Sequence, residues 1–200
     1  MAKSYQDHLD VAKSYNNIGN VCDSQGKYEE ALEYYQKDLD ITVRLVGDHP
    51  DVAASYNNIA NIYDDQGKYE DALVQYQKAL EIQTRVFGSD HPDVATSFDN
   101  IGLVYRKKGD LENALVQHQK ALEIRTRLFG SDHPDVAASI KNIGVVYHNK
   151  GDRAAATEMY TKAYHIFLKV LGPHHLKPFV PSVPAIVAGG VPETGKRDGH

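Results

Sequence analysis

The sequence predicts an all-α protein, a solenoid of four antiparallel helix pairs. Three observations predict it. The stretch at 52–88, "VAASYNNIANIYDDQGKYEDALVQYQKALEIQTRVFG", recurs in register from Val11, Val94 and Val136. The four starts fall 41, 42 and 42 residues apart, a fixed period that marks stacked units, each burying its apolar face against its neighbours. Within each copy two apolar stripes at three- and four-residue spacing are divided by a glycine, the pattern of two amphipathic helices joined by a tight turn.

Taken in order, residues 1–10 are a polar lead-in to the first helix, and the four copies occupy 11–47, 52–88, 94–130 and 136–172. In the second copy the first helix (helix A) runs from about Pro50 to Gln66, with Ala53, Tyr56, Ile59, Ala60 and Tyr63 forming one stripe. Gly67 ends it, because glycine accepts the left-handed conformation past a helix C-terminus. Helix B starts at Tyr69, carries Ala72, Leu73, Tyr76, Ala79, Leu80, Val86 and Phe87, and stops at Gly88. The linker "SDHPD" restarts the unit, with Asp90 as the expected N-cap, Asp93 in a capping-box position and Pro92 in the first turn. Small residues at Gly19, Ala60, Gly102 and Gly144 let helices approach closely. At another small-residue position Asp38 stands where Ala79, Ala121 and Ala163 stand. A carboxylate there costs stability without a partner, so the first copy is expected to be the loosest.

The tail, 173–200, breaks the pattern. Four prolines between 178 and 192 forbid a continuous helix, and the last ten residues read as disordered. Phe179, Val180, Val183 and Ile186 either fold back over the last helix or dock into the groove. Helix B of the fourth copy is expected to leave Tyr164, Phe167, Leu168 and Val170 as an apolar flank.

Bulk properties narrow the function. A net charge of −5 with a pI near 6.0 lacks the basic excess of a nucleic-acid binder. The lone cysteine, Cys22, allows no intrachain disulfide and suits a reducing, cytoplasmic setting, where it reads as a small core residue. No signal-peptide pattern is present, and the longest apolar run, 183–191, is too short to cross a bilayer. His49, His91, His133 and His175 recur one per linker. Stacked repeats set neighbours too far apart to share a zinc ion, so neither a metal nor another cofactor is expected. No nucleophile–base pair or phosphate-binding glycine loop is found, so no enzyme is expected.

The Tyr-x-x-Ile-(Gly/Ala)-x-x-Tyr pattern, followed by Gly, Tyr, Ala, Tyr and Ala, resembles the tetratricopeptide repeat (TPR). The lengthened helix B ending "ALEIRTRLFG" and the "DHPDVA" linker resemble the longer repeats of kinesin light chains. The resemblance implies a right-handed superhelix with the A helices lining a concave face that holds a partner's extended segment. The heptad-repeat segment by which kinesin light chains join the motor has no room before residue 11, so the repeat type transfers better than the motor role.

Four asparagines, Asn17, Asn58, Asn100 and Asn142, occupy one register of helix A. Asparagine disfavours helix interiors by about 0.5 kcal/mol relative to alanine, so its recurrence asks for a cause. The amides either hydrogen-bond the backbone of a bound peptide, as the resemblance implies, or bond one another between repeats. Three residues further on, Asn20 and Asn61 give way to Leu103 and Val145, and the later copies bring Arg106, Lys107, Lys141 and His148. That half suits an acidic segment with a bulky apolar residue. The expected function is a non-catalytic scaffold that binds a partner's extended segment, as a monomer or with weak end-to-end self-association. A cargo adaptor like a kinesin light chain and a peptide-sensing module are the alternatives.

Overall fold

The computed structural model describes residues 2–171, with side chains for 6–170. The tail and His175 lie outside the described residues. Among those residues the chain forms eight helices and no strand: α1 (Ala2–Ser24), α2 (Tyr28–Val46), α3 (Pro50–Asp65), α4 (Tyr69–Phe87), α5 (Pro92–Lys108), α6 (Leu111–Phe129), α7 (Pro134–Asn149) and α8 (Arg153–Leu171). Each odd helix packs on the even helix after it, and each even helix packs on the next odd one, which makes an α-helical solenoid.

The lead-in belongs to α1 itself. "QDHLD" echoes the linkers, but Leu9 stands where Pro50, Pro92 and Pro134 stand, and Tyr5 where the linker glycines stand. With neither breaker the helix runs straight through, giving 23 residues against 16 or 17 for α3, α5 and α7.

The linker histidines are the N-caps, not Asp90. His49, His91 and His133 hold extended backbone, and each Nδ1 accepts the N–H of the aspartate two residues on, at 3.2 Å. Proline at the first helical position fixes the residue before it as the cap. Phe87 and Phe129 stack on His91 and His133, with ring centroids 4.2 and 4.5 Å apart. Asp90 instead pairs with Arg127, at 3.0 Å, as Asp48 does with Arg85 at 2.9 Å and Asp132 with Lys169.

Inside the solenoid one triplet per repeat seals each joint. Val52, Ile59 and Ile62, then Val94, Ile101 and Val104, then Val136, Ile143 and Val146, are all 0–4% exposed. Burying a side chain of this size stabilises by about 1.5–3 kcal/mol. The small residues do allow close approach: a Cβ on Gly19 would lie 2.6 Å from the Tyr35 ring, and on Gly102 2.9 Å from the His118 ring. Exposed pairs Glu70–Lys108 (2.9 Å) and Glu112–Lys150 (2.6 Å), with Gln66 donating to Glu29 at 3.3 Å, repeat along one edge. Water screens them, so they align the repeats rather than hold them together. Cys22 is buried, and on α8 Tyr164 and Val170 are exposed while Phe167 and Leu168 are half-buried.

Candidate peptide-binding face

The A helices α1, α3, α5 and α7 carry polar side chains on two distinct faces. One face turns into the joints. Its residues are Ser55, Ser97 and Ser139, buried at 0–1% exposure. Each finds a partner on the preceding even helix: Ser55 donates to Asp38 at 2.5 Å, Ser97 to Gln83 at 2.5 Å, and Ser139 accepts from Arg125 at 2.6 Å. A buried hydroxyl without a partner would cost about 1–3 kcal/mol, and each of these has one.

Asp38, expected as a liability, is thereby accounted for. It is 4% exposed, accepts from Ser55 and also from Asn16 at 3.1 Å. Burial raises its carboxyl above the usual range, the Ser55 and Asn16 hydrogen bonds pull it back, and Asp51 pushes it up further.

The other face is open, and most of the sequence-predicted site residues lie on it. Asn17 is exposed, while Asn58, Asn100 and Asn142 are half-buried. None of these four amides hydrogen-bonds another described residue, so they do not form a ladder between repeats. Beside Asn17, a notch of about 150 Å³ opens between α1 and α3, lined by Lys13, Asn16, Asn17, Asp38, Thr42 and Ala54 among others. The Asn57 Oδ1 and Arg106 Nε atoms are buried without a partner in the protein.

Asn20 and Asn61 are less free. Tyr35 Oη donates to Asn20 Oδ1 at 2.8 Å, and Tyr76 Oη donates to Asn61 Oδ1. Burial, then Asp23 and Cys22, push Tyr35 up to about 12, so its hydroxyl stays a donor. Repeat three has changed both members together. Leu103 replaces the asparagine and His118 the tyrosine, and the fully buried His118 turns its Nδ1 to Asp99 at 2.7 Å. Asp99 is 6% exposed and also takes Arg125.

Charge changes sign along the open face. Asp23 is held above the usual carboxylate range, first by burial and then by Asp65 on the next repeat. In the following joint Asp64 pairs with Lys107 at 2.8 Å. Further along, half-buried Arg106 and exposed Lys141 have no anionic partner among the described residues, and Leu103 and Val145 are half-buried beside them in sequence. Among the described residues no cluster of His, Cys, Asp or Glu could hold a metal, and no helix is long and apolar enough to cross a membrane.

Stacked helix pairs with hydrogen bonds across their joints and an open polar face define a repeat protein of the interaction-scaffold class. The chain belongs to the tetratricopeptide repeat family, whose sequence model matches residues 10–83, 51–125 and 93–169. Such repeats generally mediate protein–protein interaction, and no enzymatic family is indicated. The chain is similar in structure to BtubC (BKLC) from P. vanneervenii, with a TM-score of 0.73 and 30% identity over 86% of this chain and 69% of that one. It shares its fold with the nearly identical TPR-like repeats of a Podosopora anserina protein described as a kinesin light chain, at 23% identity and a TM-score of 0.71, over 80% of this chain and 76% of that one. No curated protein matches the sequence significantly.

Proposed function

We propose that the open A-helix face binds an extended segment of a partner protein through Asn17, Asn58, Asn100 and Asn142. One observation carries this reading: polar residues turned into the joints are bonded, whereas these four amides, one per repeat, are unpaired. An amide offers a donor and an acceptor, which is what a strand of peptide backbone presents in return. Asn20 and Asn61 keep Oδ1 for their tyrosines and serve mainly to shape the first half of the face.

The charge layout selects the ligand. Arg106 and Lys141 attract acidic side chains over α5 and α7, and Leu103 and Val145 offer an apolar contact there. Asp23 and Asp65 already repel each other, so they disfavour acid over α1 and α3. The test is titration of an acidic peptide with one central aromatic residue, and of a basic peptide of equal length, against wild type and Arg106→Glu/Lys141→Glu. The acidic peptide should lose at least tenfold in affinity, about 1.4 kcal/mol. Equal binding of that peptide to both proteins contradicts the charge selection.

A further inference from the structure

We infer that the two ends of the solenoid are halves of one joint, and that the α1 end of one copy receives the α8 flank of a second copy. Val11, Ile18 and Val21 are 44%, 41% and 54% exposed. They hold the register of the triplets that are buried at the three inner joints, and they too are Val, Ile and Val. Inside the chain that triplet is covered by the even helix of the preceding repeat. Leu39 shares a cluster with Val52, Ile59 and Ile62, and Leu80 shares one with Val94, Ile101 and Val104. On α8 the register of Leu39 and Leu80 is held by Tyr164, which is 38% exposed.

The polar positions match as well. Inner joints set Glu70 against Lys108 and Glu112 against Lys150. At the ends Ala154 stands for the glutamate, and Gln25 stands for the lysine, as Gln66 does opposite Glu29 in the first inner joint. Inner joints also bury Gln83 or Arg125 against a serine. On α8 that register is Phe167, and the serine it would meet, Ser14, already donates to the Asp10 carbonyl at 2.8 Å. Ser14 can therefore be covered by an apolar ring without losing a hydrogen bond. Neither end presents at these positions a charge that the other leaves unpaired.

A joint between unlike faces does not close on itself, so copies add head to tail without a fixed stoichiometry. Sedimentation of the full chain from micromolar to millimolar concentration tests this. The weight-average mass should climb past twice the monomer value. Ile18→Asp/Val21→Asp and Tyr164→Asp change exposed residues only, so circular dichroism should show both as helical as wild type. Each variant alone should stay monomeric, and an equimolar mixture should stop at a heterodimer, because one intact face remains on each partner. A wild-type monomer at every concentration, as when residues 172–200 of the same chain occupy the α8 flank, would overturn the inference. So would self-association of either variant alone, or a mixture that stays monomeric.

Discussion

Ser55 Oγ donates to Asp38 Oδ2 at 2.5 Å across the joint between α2 and α3. The bond gives a buried carboxylate its partner on the neighbouring repeat and ties the first two repeats through one charge. Burial dominates over the bonds, so the Asp38 carboxyl is raised. A carboxylic acid whose folded value is raised is easier to bury protonated. Its burden is absent below the unfolded value of 3.8 and grows as pH rises through the folded value. Asp38→Asn keeps an acceptor for Ser55 and removes the charge. The melting temperature of Asp38→Asn minus that of wild type should therefore be smallest near pH 3, rise with pH and level off above the folded value. A difference independent of pH would mean that Asp38 carries no buried charge.

The joint between repeats three and four depends on a larger polar cluster. Asp99 takes His118 and Arg125, and Arg125 also reaches Ser139. Asp99→Ala leaves a mostly buried guanidinium without its anion, and breaking such a pair costs about 3–5 kcal/mol. In a solenoid the loss is local, so hydrogen exchange should show protection falling in α5–α8 with α1–α4 little changed. Uniform loss along the chain would show that the repeats unfold as one unit.

Gly102 faces the His118 ring, which Asp99 holds in place. Gly102→Ala should destabilise by about 1–3 kcal/mol, the usual result of overpacking. Ala60 occupies the same register in repeat two, where Ala60→Gly should cost only about 0.5–1 kcal/mol through helix propensity. Urea denaturation of both variants checks the order, and a neutral Gly102→Ala would mean that the ring has room to move.

The helix pairs could be read from the sequence because their cause is local and periodic. Apolar spacing, linker prolines and turn glycines repeat every 42 residues in the later copies. Gly109 does end α5 in the left-handed conformation, with φ 89°. The joints were hidden because their specificity is pairwise. Ser55, Ser97 and Ser139 look like mere markers of the period, yet each meets a different residue, Asp38, Gln83 or Arg125. Asp99, beside Asn100 in sequence, is buried against His118 and Arg125. The signal lay in two departures within one repeat, since His118 replaces a tyrosine where Leu103 has removed that tyrosine's acceptor. Asp90 was one residue too early as a cap, because Pro92 already assigned that place to His91.

The most direct test of the central claim is a partner pull-down with wild type and Asn58→Ala/Asn100→Ala/Asn142→Ala. These amides bond no other described residue, so removing them should leave helicity unchanged and stability equal or slightly higher. The account predicts a fully folded variant that loses partners retained by wild type. A folded variant with an unchanged set of partners would contradict it and place binding away from the open A-helix face.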